Sequence, residues 1–197
     1  GKRISSVIEY TESNVEVALL EMYGKCGSMY DARKLFDSLS QKPLLAWNAL
    51  IVGFAIQGET KVVLLLLEGM IESGIWPDGE TFTSFLIVCA HACMLVESLI
   101  CFEMMMAKFN IIPNIKHYTC IADLLGRAGH LEDAILVLEE MPFQPDLVLL
   151  RAMLGACRRR GNLELGEEMF EFALGLDERH SGSYVLMSNI YVDHYMF

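Results

Sequence analysis

Five times along this chain the same local phrase interrupts an apolar, helix-forming run: KCGSMYDA around Gly27, IQGETKVV around Gly58, HACMLVES around Cys93, RAGHLEDA around Gly129 and RRGNLELG around Gly161. The turn centres are 31, 35, 36 and 32 residues apart. Periods of this size mark arrays of helical hairpins. That repeat constrains the fold more than any single motif, because a lone hairpin leaves an apolar stripe bare and must stack on its neighbours.

Within one repeat the apolar spacing is helical on both sides of the glycine. Ile121, Ala122, Leu124 and Leu125 form one stripe, and Ala134, Ile135, Val137, Leu138 and Met141 form another after Leu131. Gly129 stands where the first helix should end in a left-handed residue, and the small Ala134 where the second helix must approach the first. Pro142 and Pro145 stop the second helix. The repeats also end alike, in GIWPD before Gly79, NIIPN before Ile115 and FQPDL after Met141. The expected fold is all-α, a superhelical solenoid of stacked helix-turn-helix repeats with one concave groove; its hand is not readable.

One of the five turns carries a suggestive spacing. His130, Leu131 and Glu132 match the histidine and glutamate of zinc deaminases, in which a metal-held water is activated beside a general acid and base. Such a site needs two further soft ligands, usually from a C-x-x-C, and the chain contains no C-x-x-C. His130 occupies the slot that Ser28, Glu59 and Asn162 fill in other repeats, so it reads as a turn residue. No metal site, no cofactor and no nucleophile–base pairing is expected, and the chain is read as not an enzyme.

Composition narrows the partners. With 53% hydrophobic residues the 197-residue chain has enough apolar surface for a large core. Fifteen basic against 26 acidic residues give a net charge of −11, which opposes a grip on nucleic acid through phosphate contacts alone. A mean hydropathy of +0.36 raises the question of a membrane. The longest apolar stretch, Phe85 to Val96, carries His91 and stops at Glu97, short of the roughly 18 residues a spanning helix needs, so it is read as a buried helix and no membrane association is expected. The six cysteines are scattered, mostly within apolar helical runs, and read as buried, reduced thiols of an intracellular protein. The opening GKRISSVIEY has no apolar targeting core and reads like the middle of a helix, as in a piece of a longer chain.

The strings MYGKCGSMYDARKLFDSL, AWNALIVGFAIQG, HYTCIADLLGRAGHLEDA, MPFQPD, LGACRRRGNLELGEEMFEFALGLD and YVLMSNIY resemble the C-terminal part of a plant pentatricopeptide repeat protein. More narrowly, they resemble the subclass with short, standard and long repeats followed by an E extension. On that resemblance, residues 1–12 end a preceding repeat, Ser13 to Pro43 form a degenerate short repeat and Leu44 to Asp78 a standard one. Gly79 to Asn114 form a long repeat and Ile115 to Asp146 a second short one. Leu147 to His180 resemble a first E motif, and Ser181 to Phe197 the start of a second.

The resemblance implies sequence-specific binding of single-stranded organellar RNA, in mitochondrion or plastid with the mitochondrion favoured. It implies a role in placing a cytidine for deamination to uridine, the deaminase being recruited from another, editing-factor protein through the E motif. Each repeat of the family reads one base through a polar residue near the start of its first helix and another at its end. Mapped here, the pairs are Asn48 with Asp78, Thr83 with Asn114, and Thr119 with Asp146, which the family's rule assigns to U, A and G. Amide, hydroxyl and carboxylate groups have the donors and acceptors to match an unstacked base edge.

Departures accompany the match. The first short repeat offers Val17 and Pro43 and is assigned no base. Where the family sandwiches each base between aliphatic residues, this chain has Leu45, then Glu80 and Lys116, which offer only aliphatic stems. Asn48 and Thr119 lie near helix starts and Asp78 and Asp146 follow prolines, all natural capping places. Arg158, Arg159 and Arg160 read as a solvated complement to a helix dipole rather than a phosphate clamp. Met104, Met105 and Met106 are consecutive, so at least one should be core and one exposed.

The competing reading is a protein-binding solenoid of the tetratricopeptide type, which would suit the acidity. That type expects a Trp-Leu-Gly-Tyr series in the first helix and a period of 34, whereas these repeats run 31 to 36 residues with Gly-x-x-x-x-Ala turns.

Overall fold

The structure, a computed structural model, describes the backbone of residues 2–196 and the side chains of residues 14–196. All regular structure among the described residues is helical, in the order α1 (Lys2–Lys25), α2 (Met29–Ser38), α3 (Leu44–Ile56), α4 (Thr60–Glu72), α5 (Gly79–His91), α6 (Leu95–Ala107), α7 (Ile115–Ala128), α8 (Leu131–Glu140), α9 (Leu147–Arg160), α10 (Leu163–Leu176) and α11 (Ser181–Tyr195). Two compact units divide the chain, Gly1–Val88 and Cys89–Phe197, with the division inside α5.

The five aligned turns share one geometry. Gly27, Gly58, Cys93, Gly129 and Gly161 all have positive φ, at 74°, 73°, 54°, 93° and 65°. In each, the next residue's N–H reaches back five residues to a helical carbonyl: Ser28 to Tyr23, Glu59 to Phe54, Met94 to Cys89, His130 to Leu125 and Asn162 to Cys157, all at 2.9–3.0 Å. This bond satisfies a carbonyl that the helix end would otherwise leave bare, and only the left-handed residue permits it. Cys93 pays a steric cost there that glycine does not.

In the first unit α1 packs on α2 and α3, and α3 on α4. Phe36 meets Trp47 edge-to-face at 4.7 Å, and Leu50, Val63, Leu66 and Met70 are buried in the same unit. In the second unit α7 packs on α8 and α9, and α9 on α10 and α11. The buried residues of α9, Leu149, Leu150, Met153, Leu154, Ala156 and Cys157, recur three to four apart, as a helix buried on one broad face requires.

First helices approach one another at small residues in both units. A Cβ on Gly24 of α1 would lie 3.1 Å from the Gly53 Cα of α3, and a Cβ on Gly126 of α7 would lie 2.6 Å from the Ala156 Cβ of α9. Gly24 and Gly126 stand three residues before their turn centres, Gly53 and Ala156 five before theirs, so one packing register recurs.

The second helices of the first four hairpins come in two lengths, while α10 of the fifth has 14 residues. α2 and α8 have 10 residues, α4 and α6 have 13. The longer pair is followed by a left-handed residue, Gly74 or Asn110, before IWPD and IIPN; the shorter pair passes directly into extended backbone at Leu39 and Met141.

Two expectations need correction. The apolar stretch from Phe85 to Val96 is not one buried helix: α5 ends at His91, Cys93 turns the chain and α6 starts at Leu95. Hydropathy alone does not register a break inside a continuous apolar run. Cys26 and Cys93 are exposed because both belong to turns, while Cys89, Cys101 and Cys157 are buried. α1 runs through Ser13, where a repeat start is read; the side chains of residues 1–13, of which 1–12 are assigned to a preceding repeat, and Phe197 lie outside the described residues. Met105 is fully buried and Met106 39% exposed, the split expected of three consecutive methionines.

Candidate functional site

In the first unit the sequence Pro77-Asp78-Gly79-Glu80-Thr81 starts α5 with an aspartate whose Oδ1 accepts the Thr81 N–H at 3.0 Å. The same oxygen accepts the Thr81 hydroxyl at 3.0 Å and the Asn48 Nδ2 at 3.0 Å. Thr81 Oγ1 lies 2.6 Å from Asn48 Oδ1 and also accepts the Asp78 N–H at 3.1 Å. Asn48, in the second turn of α3 and 9% exposed, therefore does not cap its own helix; it ties α3 to the cap of α5. A buried amide is costly unless bonded, and bonds to a carboxylate are the stronger kind. One Asn48 N–H and one carbonyl lone pair remain unspent.

Asn48 and Asp78 line a pocket of about 250 Å³ together with Leu45 and Glu80 and with Gly24 and Gly53, where α1 and α3 meet. Glu21 and Lys25 of α1 also line it. Four residues singled out from sequence, Leu45, Asn48, Asp78 and Glu80, thus share one site. Leu45 is 59% exposed and Glu80 is exposed. With Glu21, Asp78 and Glu80 against Lys25 alone, the lining is acidic, so it suits a polar edge bearing a donor better than a phosphate.

The remaining candidates stand differently. Thr83 is 5% exposed and its hydroxyl donates to the Gly79 carbonyl at 2.8 Å, within α5. Asn114 caps α7: its Oδ1 accepts the Lys116 and His117 N–H groups at 3.0 and 3.3 Å, and its own N–H donates to Nδ1 of the fully buried His117 at 3.0 Å. Lys116 is exposed. In the second unit Thr119 donates to the Ile115 carbonyl at 2.8 Å, and Asp146 caps α9 by accepting the Leu149 N–H at 2.8 Å. Among the described residues no hydrogen bond joins Thr119 to Asp146.

Thr81 is the participant that sequence reasoning missed. The Asp-x-x-Thr spacing at a helix start is a capping signal and could have flagged it; its bond to Asn48, 33 residues away, has no local signature.

The turn at His130 begins α8, with Nδ1 3.4 Å from an Asp133 carboxylate oxygen and both side chains half exposed. Among the described residues no group of three or more His, Cys, Asp or Glu is placed to hold a metal ion. Burial pushes the thiols of Cys89 and Cys157 up to about 11 and Cys120 up to about 12, so at neutral pH they are protonated and poor nucleophiles. Of the three consecutive arginines, Arg158 does more than face a dipole: its Nε donates to Asp193 of α11 at 2.7 Å. No helix among the described residues is long and apolar enough to cross a membrane.

A family model of the PPR repeat matches residues 17–43, 45–75 and 116–143. Among curated proteins of Arabidopsis thaliana, the pentatricopeptide repeat-containing protein At3g14330 is 39% identical over 98% of this chain and 28% of its own length. The pentatricopeptide repeat-containing protein At5g43790 is 40% identical over 90% of this chain and 38% of its own. The chain therefore spans about a third of the length of these relatives. Among solved structures, the pentatricopeptide repeat protein PPR10 from maize superposes with a TM-score of 0.72 at 23% identity, covering 89% of this chain and 26% of that one. The same protein in complex with an 18-nt psaJ RNA element gives 0.65 at 21% identity, over 90% of this chain and 26% of that one. The PPR domain of Arabidopsis thaliana protein-only RNase P 1, in complex with tRNA, gives 0.68 at 18%, over 87% and 95%. These likenesses identify the fold as an α-solenoid of stacked helical hairpins.

Proposed function

The chain belongs to the pentatricopeptide repeat family, and we propose that it is a sequence-specific, single-stranded RNA-binding module without catalytic activity of its own. The observation that carries this reading is the Asn48 site. Asn48, held by Asp78 and Thr81, lines an open pocket together with Leu45 and keeps one N–H and one carbonyl lone pair unspent, on opposite flanks of its amide. Uracil's edge offers carbonyl acceptors and an N–H donor, so an unspent group of the Asn48 amide can make a single hydrogen bond to it, and Leu45 supplies an apolar surface for the ring. The acidic lining disfavours phosphate there, so recognition at this site rests on the base.

We further read the chain as the subclass with alternating repeat lengths and an E extension, a reading supported by the 10- and 13-residue second helices. In that reading it acts in a mitochondrion or plastid, the mitochondrion favoured, where it specifies a cytidine for editing and recruits a deaminase carried by another protein. Thr83 with Asn114 and Thr119 with Asp146 read the following bases, A and G.

The test is a selection of RNA sequences from a random pool by the full-length protein, repeated with Asn48→Ser. A uracil preference that is lost at one nucleotide supports the reading. Enrichment of no sequence by either protein refutes it.

A further inference from the structure

The hairpin of α9 and α10 carries residues at the same register as the Asn48 site, with opposite chemistry. Val148 and Arg151 are the second and fifth residues of α9, as Leu45 and Asn48 are of α3. His180 directly precedes α11, as Asp78 precedes α5. Val148 is 63% exposed, close to the 59% of Leu45. Three observations point to a ligand at this place.

First, Arg151 is exposed and has no carboxylate or hydrogen-bond partner among the described residues, whereas Arg127 and Arg158 nearby each hold an aspartate at 2.7 Å. An unpaired guanidinium is conspicuous in a chain of net charge −11. Second, Arg151 and His180 converge. A Cβ on Gly182 would meet the Arg151 Cζ at 3.4 Å and His180 Cε1 and Nδ1 at 2.9 and 3.3 Å, so both side chains lie over the same bare backbone of α11. Third, no side chain caps α11 as Asp78, Asn114 and Asp146 cap α5, α7 and α9: His180 makes no side-chain cap bond and its Nδ1 instead lies 3.3 Å from the Ser183 hydroxyl.

We propose that Val148, Arg151 and His180 hold one further nucleotide of the bound RNA through its acceptor atoms. Arginine has five donors and no acceptor, so the partner is an acceptor-only surface: a phosphate, or the O6 and N7 edge of guanine. Val148 supplies the apolar surface beside it, as Leu45 does in the first unit. The inference rests on the RNA-binding reading, and it extends base or backbone contact into a hairpin to which no nucleotide was assigned.

The experiment measures binding of the full-length protein to its selected RNA and to single-base variants by fluorescence anisotropy across salt, for the unaltered protein, Arg151→Ala, Arg151→Lys, Gly182→Ala and Asn48→Ser. Arg151→Ala is expected to weaken binding about tenfold with an unchanged melting curve, the size of one good polar contact to a nucleotide. Gly182→Ala is expected to weaken it as well, by displacing both side chains. If the ligand is a phosphate, Arg151→Lys restores binding, the loss is equal for all base variants and the salt slope falls by about 0.7. If it is guanine, lysine does not restore binding and the loss appears only with guanine at the nucleotide next to the one read by Thr119. Full affinity of Arg151→Ala for every RNA, with Asn48→Ser impaired, overturns this inference alone. Failure of the unaltered protein to bind any RNA overturns the reading beneath it as well.

Discussion

The two units share a scaffold and differ in the chemistry mounted on it. In the first, Gly24 meets Gly53; in the second, Gly126 meets Ala156, three and five residues ahead of their turns in both cases. Yet the polar positions that follow from this common packing behave differently. Asn48 has the reach to span to Asp78 and finds a hydroxyl at Thr81 to complete the network. Thr119 is one heavy atom shorter at its polar end and falls back on its own helix at Ile115, while the residue at the place of Thr81 is Leu149, which offers Asp146 only its N–H. Close packing at small residues holds the spacing of the helices, so the side chains above are free to vary. Each polar position must then be judged by its own partners.

The largest effect is expected where the shared scaffold is broken. Gly126→Val places a Cβ 2.6 Å from that of Ala156, closer than real carbon atoms come, and should cost about 2 kcal/mol or more by forcing α7 from α9. Chemical denaturation measures it. A loss under 0.5 kcal/mol would mean that the helices slide apart freely and that the close approach holds nothing in place.

A smaller effect separates the two sites. Asn48→Leu keeps the volume but removes the partner of Asp78 and Thr81, and should cost about 1.5 kcal/mol. Thr119→Val removes a hydroxyl that serves only the Ile115 carbonyl and should cost less than about 0.5 kcal/mol. Equal losses in denaturant midpoint would erase the distinction drawn between the units.

Much of this organisation was legible from residues alone, for identifiable reasons. A left-handed helix end leaves a glycine, so four of the five turns announce themselves, and the period finds the fifth at Cys93 without one. Asn48, Asp78, Leu45 and Glu80 could be picked out because a family resemblance supplies their register, and the structure places them around one pocket. Thr81 stayed hidden because a hydrogen bond across 33 residues depends on how α3 meets α5, which periodicity does not encode. The same holds for the pairing of Gly126 with Ala156 and for the free guanidinium of Arg151: small and charged residues are common on helices, and only packing distinguishes those that face something. Hydropathy taken alone reads straight through the turn that the period marks at Cys93, since hydrophobicity there is uniform on both sides of it.

The comparison sharpens further if the second site is given the side chain of the first. Thr119→Asn lengthens the polar arm toward Asp146 and should move the preference at that one nucleotide from guanine toward uracil, by about 1 kcal/mol in a full-length array. Competition binding with four RNAs differing at that base measures it. A uniform change across all four bases would make Thr119 a helix-start residue only, and its base-reading role would be withdrawn.

The smallest effect tests the turns that both units share. Cys93 holds φ 54° where Gly129 and Gly161 hold 93° and 65°, and a residue with a Cβ is strained there by about 1 kcal/mol relative to glycine. Glycine gives back part of that gain through the greater freedom of the unfolded chain, so Cys93→Gly should stabilise by about 0.5 kcal/mol. Cys93 is exposed, and little packing is lost with its thiol. A rise in Tm of a few degrees at most is expected in reducing buffer, with no change in RNA preference because the turn lies away from Asn48, Thr119 and their partners in sequence. A fall in Tm would show that the sulfur contributes more than the strain costs, and that this turn, unlike the other four, is held by its side chain.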